Sequence, residues 1–532
     1  MEKKDIRKII EEGDAVIGIE FGSTRIKAVM TDRDGRPLAS GGFTWENSQQ
    51  NGIWTYPLDE VEEGLRACYA DLKKKVLDEF GIRITKIAAM GVSGMMHGYL
   101  VVDKENRLLT PFRTWRNNIT DEASRKLTEF FDYPIPQRWS VAHLYQAILN
   151  GEKHVGEIDA MTTLAGWVHH RLSGERVLGI DEASGMFPID IDRLDYDDKK
   201  LSAFDELVSE HGFDWKIGRI LPKVLVAGEN AGSLSGEGAG LLDPEGDLSP
   251  GIPLCPPEGD AGTGMVATAS VRSRTGNVSA GTSVFAMIVL EKALSKAHHE
   301  LDLVTTPDGK LVAMAHSNNC STEYSAWIEL FGEAAALLGI EVSGERLYNT
   351  LMTEALRADS DCGGLLAYGY HSGEHMTGFS EGRPLLTRLP SSKLTAGNLI
   401  RAQLFTALCA LRTGLNILFN EEGVTIDEIK GHGGFFKTPG VGEKIMAAAT
   451  GTRVSVLETA GEGGAWGIAL LAAYMMRKDD SLSLPDFIDA AFEGAESRSA
   501  EPEPADVEGF DSFFRRYHQG LAIERSAVEN YR

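Results

Sequence analysis

The spacing of apolar positions changes several times along the chain, and each change predicts an element. Residues 16–45, VIGIEFGSTRIKAVMTDRDGRPLASGGFTW, carry short apolar runs separated by small polar turns. They read as a three-strand meander with RDGRP as one turn. Residues 59–80 place Val61, Leu65, Tyr69, Leu72, Val76 and Phe80 at helical spacing, which predicts an amphipathic helix. KIAAMGV and YLVVD read as strands on either side of a Gly/Ser/Met/His loop, and residues 1–14 as a short polar helix or tail. Residues 120–260 are mixed and mostly helical, ending in the Gly/Pro-rich DPEGDLSPGIPLCPPEGDAGTG.

At residue 276 the opening pattern returns. GNVSAGTSVFAMIVLE is again an apolar strand, a small polar turn and an apolar strand. A long apolar helix (TAGNLIRAQLFTALCALRTGLNILFNEEG) follows, then strand EIKGHGG, a helix from about residue 440, strand RVSVLE and helix AWGIALLAAYMM. The last stretch starts Pro/Glu-rich and ends helical. Each half therefore opens on a glycine-turn hairpin and continues into alternating strands and helices. That pattern predicts a duplicated α/β unit with a cleft between the copies.

Composition narrows the function. A chain of 532 residues is too long for one core, so two or more domains are expected. With 53 basic and 78 acidic residues the formal net charge is −25, a poor surface for nucleic acid. No run of eighteen apolar residues suggests a membrane span. The charged start, MEKKDIRKIIEEGD, lacks the apolar core of a secretory signal. Five scattered cysteines without CxxC spacing suggest reduced thiols in a cytoplasm.

Candidate chemistry sits in the turns. Gly22-Ser23-Thr24 offers close backbone approach and two hydroxyls, which suits a phosphate as well as a plain hairpin turn. Its counterpart Gly281-Thr282-Ser283 makes a two-sided polyphosphate grip the better reading of the pair. In GHGGFFKTPGVGEKIM, Gly433 and Gly434 leave room for a flat ring, and Lys437 leads into a helix start that favours anions. Asp260, among glycines, is either a turn former or a general base for a hydroxyl attacking phosphorus. Met96, His97, Trp115, Arg116 and Asn117 combine an apolar wall with hydrogen-bonding groups, as a sugar requires. There is no Walker A motif, and the adjacent histidine pairs 169–170 and 298–299 do not suit joint metal ligation.

In this order and at these distances, the glycine hairpin, GMMHG, GDAGTG, SAGTS, GHGGFFK and GEGGAWGIALLAA resemble the FGGY family of carbohydrate kinases, over about residues 15–475. The resemblance implies an α/β fold of two ribonuclease-H-like domains, as in actin-like ATPases, around a central cleft that closes on sugar and MgATP. It implies a tail over residues 1–14. It also implies an N-terminal domain over 15–271, with the sugar site, first phosphate loop and Asp260. The C-terminal domain would cover 272–532, with the second phosphate loop, the adenosine site and a helical tail. Asp260 matches the family's catalytic base, Gly22-Ser23-Thr24 and Gly281-Thr282-Ser283 its phosphate loops, and Gly433 and Gly434 its adenosine motif, with Phe435 where a third glycine is frequent.

The Met96–His97 pair resembles that of xylulokinases, so a ketopentose such as xylulose is the first expectation, ribulose the second and an aldonate such as gluconate the third. TWRNN is similar to the family's Trp-x-Asp segment, with Asn117 in place of Asp. Glu20 stands where an Asp usually reaches magnesium, commonly through water, and is one methylene longer. ATP and Mg²⁺ are the implied cofactors, a small sugar the implied partner, and a homodimer the default assembly. A catalytically silent sugar or nucleotide sensor, or an ATPase of the same superfamily acting on a macromolecule, is the rival class. Asp260 and the two phosphate turns argue against the sensor, and the sugar-suited GMMHG and TWRNN segments against the ATPase.

Overall fold

The computed structural model describes residues 1–457, 463–479 and 481–531. Glu458, at the end of RVSVLE, and Gly461 and Glu462 of the GEGGAWGIALLAA motif lie outside the described residues. Helix α1 (Lys3–Glu12) precedes the expected meander, β1 (Val16–Phe21), β2 (Arg25–Thr31) and β3 (Pro37–Thr44), whose strands pair antiparallel. Helix α2 (Leu58–Phe80) lays the apolar stripe named above against β3. Strand β4 (Ala89–Gly94) then joins β1 in parallel, bringing Ser93 opposite Glu20. Helix α3 (Ile180–Ser184) lies beside the two-residue strand β5 (Glu258–Gly259), which pairs parallel with β4 and runs straight into helix α4 (Asp260–Ala267). The sheet order is β5-β4-β1-β2-β3.

The second half repeats this plan. Strands β6 (Thr275–Ala280), β7 (Val284–Val289), β8 (Leu301–Thr305) and β9 (Leu311–Ser317) pair antiparallel in the order β6-β7-β9-β8. Helix α5 (Ala396–Asn416) is apolar nearly all round and is correspondingly buried. It is long and apolar enough to cross a membrane by length and composition, yet 78% of the apolar stretch is buried within the protein, as a core helix requires. Strand β10 (Glu428–His432), helix α6 (Val441–Thr450) and strand β11 (Arg453–Leu457) extend the sheet in parallel from β6. Strand β12 (Ser497–Ala500) closes its edge. The run β9-β7-β6-β10-β11 matches β3-β2-β1-β4-β5 in order and direction, so the repeated hairpin seen in the sequence marks a repeated sheet.

Two features join the halves. Helix α7 (Gly463–Arg477), late in the chain, packs on β1, β4 and α4 of the first sheet rather than on the second, and Trp466 Nε1 donates to the Gly35 carbonyl (2.7 Å). Between the two halves, Arg138 forms an ion pair with Asp302 on β8, and the Thr305 N–H donates to Ser184 Oγ at the end of α3 (3.1 Å). The final helix, α8 (Pro504–Asn530), buries Phe510, Phe513 and Tyr517 against α5 and α6.

Candidate active site

Both glycine turns project from the ends of central strands. The Gly22 N–H donates to the Arg25 carbonyl (3.0 Å) and closes a two-residue turn at Ser23-Thr24. Trp45 Nε1 and the Tyr56 hydroxyl donate to the Gly22 and Ser23 carbonyls, each at 2.7 Å. In the second turn the Gly281 N–H donates to the Ser283 carbonyl (2.9 Å), while the Ser321 and Cys320 N–H groups occupy the Gly281 and Thr282 carbonyls at 3.1 and 2.8 Å. With these carbonyls tied back, the turns offer hydroxyls and amide hydrogens, which suit an anion. Thr24 and Thr282 are both exposed.

Gly433 follows β10 at φ 99°, and a Cβ there would stand 2.5 Å from the Ala280 carbonyl. Only glycine lets this segment lie against the base of the second turn. Phe435 is fully buried, edge-on to Tyr324 (6.2 Å), so the residue replacing a third glycine belongs to the core. Lys437 is exposed just before α6.

Asp260 opens α4 and is exposed. Its Oδ1 accepts the Met96 N–H (3.0 Å), so the GMMHG loop and the candidate base are joined directly. Desolvation by the surrounding protein raises its carboxyl above the ordinary range, with the Met96, Asp260 and Ala261 amides opposing. His97, buried and at φ 71°, places Nδ1 3.3 Å from the Gly185 carbonyl. Burial, and secondarily the Arg138 guanidinium, hold the imidazole well below its ordinary value, so the ring is neutral.

Glu20 accepts the Ala465 N–H at the start of α7 (3.2 Å). Burial first, then the Asp260 charge, push its carboxyl up to about 7. A cation near Glu20 would relieve both causes. Among the described residues no three His, Cys, Asp or Glu side chains converge as a metal cage. That donor set fits Mg²⁺, which typically takes one or two carboxylates along with phosphates and water.

The remaining expected sugar residues are placed differently. Trp115 is 40% exposed. Arg116 stacks over Trp54 (4.1 Å to the ring centroid) and donates to Asn47 Oδ1 (3.0 Å). Asn117 is buried: its Oδ1 accepts the Trp54 N–H (2.9 Å) and its Nδ2 donates to the Trp54 and Thr114 carbonyls (2.8 and 3.0 Å). An amide matches both sides of a peptide group, whereas an ionised Asp has no donor. Among the described residues, the hydrogen bonds of this trio run to Asn47, Trp54 and Thr114 rather than to Met96, His97 or Asp260.

Sequence reasoning missed a group of acids behind the base. Asp181, Glu182 and Glu258 are all at most 1% exposed. The available signal was the acidic pair inside the apolar run VLGIDEASGMF, which is unusual because buried acids are rare unless paired.

The family models decide the kinship: that of the FGGY N-terminal domain matches residues 15–265, and that of the C-terminal domain residues 276–476. The chain belongs to the FGGY family of carbohydrate kinases. It is a sugar kinase fold throughout, with ATP as the family's phosphoryl donor and a small sugar as acceptor. A xylulose kinase of Haemophilus influenzae is 22% identical over 524 residues, covering 94% of this chain and 98% of the relative. Among solved structures, a ligand-bound xylulose kinase from Lactobacillus acidophilus superposes with TM-score 0.78 at 16% identity, covering 97% of this chain and 99% of the other. A gluconate kinase from the same species reaches 0.77 at 16% identity with the same coverage. Kinases named for two different sugars thus share this fold.

Proposed function

We propose that this FGGY kinase transfers the γ-phosphoryl group of ATP to a hydroxyl of a ketopentose, xylulose foremost, with Asp260 as general base. The observation that carries the reading is the Met96 N–H bond to Asp260 Oδ1 (3.0 Å). It sets the Met-His loop, which would face the sugar, against the group that would accept the hydroxyl proton. The full-length likeness to a xylulose kinase supports the choice of sugar.

In this mechanism the Met96 amide aims one oxygen of Asp260, leaving the other for the sugar hydroxyl. The neutral His97 ring can donate or accept toward neighbouring hydroxyls, and Met96 supplies an apolar wall. The turns at Gly22-Ser23-Thr24 and Gly281-Thr282-Ser283 would hold the polyphosphate from both halves, with Gly433, Gly434 and Lys437 at the adenosine end. Glu20 would hold Mg²⁺, directly or through water, and the ion would neutralise phosphate charge. Positioning and charge neutralisation are the main contributions to phosphoryl transfer, and closure of the halves would exclude water. Trp115, Arg116 and Asn117 would form the rim of the sugar site, with Asn117 fixing the backbone on which Arg116 rests.

The test is ADP release by the purified protein with MgATP across ketopentoses, ketohexoses, polyols and aldonates, with the product assigned by ³¹P NMR. The highest kcat/KM is expected for xylulose. A preference for an aldonate would overturn the sugar assignment and leave the kinase assignment standing.

A further inference from the structure

Two short helices meet end to end beneath the candidate base. Helix α4 begins with Asp260 itself, and α3 carries Asp181 and Glu182 in its first turn. Asp181 Oδ2 accepts the Gly262 N–H of α4 (3.1 Å). Glu258, two residues before Asp260, accepts the Glu182 N–H of α3 on Oε2 (3.2 Å). Each helix start is therefore capped by a carboxylate from the other helix's segment. Such caps satisfy amide hydrogens that a helix cannot bond internally.

The backbone is shaped for this exchange. A Cβ on Gly179 would lie 2.0 Å from the Glu258 carboxyl carbon, and one on Gly262 would lie 2.4 Å from that of Asp181. Glycine at both positions makes the room the acids fill. The arrangement is also tied to the opposite half. The Ser184 hydroxyl donates to the Asp181 carbonyl (2.6 Å) and accepts the Thr305 N–H from β8 (3.1 Å).

We propose that Asp181 is a positioning residue for Asp260, fixing the first turn of α4 through the Gly262 amide as one half of a reciprocal cap with Glu258. The inference rests on the reading of Asp260 as general base. Burial raises Asp181 and Glu258 well above the carboxylate range; the Asp260 charge adds to the rise of Asp181, and the Asp181 charge to that of Glu258. The other titratable groups acting on the pair are Asp260 and Glu182; Cys255 faces Glu258 and Tyr196 faces Glu182. Among the described residues no salt bridge reaches Asp181, Glu182 or Glu258, and Asp181 Oδ1 and Glu258 Oε1 are buried without a hydrogen-bond partner. Uncompensated buried charge is costly, so the pair keeps at least one proton. A neutral amide can then do the work of Asp181.

The test compares Asp181→Ala, Asp181→Asn and Glu258→Gln in the full chain, with Asp260→Asn as reference. Asp181→Ala is expected to lower kcat about 10- to 100-fold, the cost of a small misplacement of a reacting group. KM for ATP should stay within about twofold, since the phosphate turns are untouched. Water entering the space should also move the acid limb of the kcat–pH profile to lower pH, as the carboxylate of the base becomes better hydrated. Asp181→Asn should recover most of the lost kcat, and Glu258→Gln should keep the wild-type acid limb. A folded Asp181→Ala with wild-type kcat and acid limb overturns the proposal. So does an Asp181→Asn protein as impaired as Asp181→Ala, and this second comparison still decides when Asp181→Ala does not fold, because a tenfold loss in Asp181→Asn alone is contrary to expectation. If instead Asp260→Asn keeps full sugar-dependent turnover, the assignment of the base fails, whatever Asp181 does.

Discussion

Laid on one another, β1 with its turn reads Glu20-Phe21-Gly22-Ser23-Thr24, and β6 with its turn reads Ser279-Ala280-Gly281-Thr282-Ser283. The backbone plan is shared, but the first position is a carboxylate in one and a hydroxyl in the other. The neighbouring strand ends differ in the same sense. Beside β1, β4 leads into Met96 and His97 against Asp260, whereas beside β6, β10 leads into Gly433 and Gly434. Acids gather in the first half; hydroxyls and glycines line the second. A turn offering only donors can hold phosphate unaided, while a turn with a carboxylate at its base repels phosphate until a cation intervenes. On the proposed reading, the duplicated sheet is divided between chemistry in the first half and holding in the second.

The sharpest way to break this contrast is to remove the acid. Glu20→Ala is expected to lower kcat/KM for MgATP about 10- to 100-fold, the usual cost of losing a group that orients a metal or its water. A magnesium titration of steady-state rates would show it as a raised requirement. Next is Gly433→Ala, which forces φ 99° on a residue with a Cβ and drives that Cβ against the Ala280 carbonyl. About 1–3 kcal/mol of strain should appear as a lower Tm and a raised KM for ATP, with KM for sugar little altered. Asn117→Asp loses the donors to the Trp54 and Thr114 carbonyls, and about 1–3 kcal/mol in a urea titration is expected for such buried groups left unpaired.

A pH series sharpens the same contrast. The Glu20 carboxyl lies near 7 in the folded chain against an ordinary 4.5. The folded state therefore holds this proton more tightly than the unfolded state. The stability it contributes is complete below about pH 4.5 and is lost as pH rises through 7. Without nucleotide or metal, Glu20→Gln should flatten that part of the Tm–pH curve. The smallest effect belongs to the other half: Ser279→Ala should change kcat/KM for MgATP by less than about threefold, since it removes one neutral hydroxyl.

Much of this was legible in the chain because period and turn chemistry are local. The hairpins at 16–31 and 276–289, the stripe from Val61 to Phe80 and the apolar helix around Leu404 all announce themselves by spacing. Asp260 and the Met-His loop each stand out in the sequence, but not their bond, which joins residues 164 positions apart. The packing of α7 on the first sheet was hidden for the same reason: an apolar helix does not say which sheet will bury it. The neighbours of Asn117 point to a sugar ligand, and only the geometry shows its amide bonded to Trp54. The acids at 181, 182 and 258 escaped because charge in a sequence reads as surface, and burial inverts its meaning.

The central claim is that Asp260 takes the proton of a sugar hydroxyl in an ATP-dependent kinase. It is tested most directly by measuring sugar-dependent ADP release at saturating MgATP for the wild-type protein and Asp260→Asn. The expected result is turnover that requires sugar and falls about 10²- to 10⁴-fold in the variant, as for loss of a general base. Equal sugar-dependent turnover in both proteins would contradict it, and so would ATP hydrolysis that is indifferent to sugar.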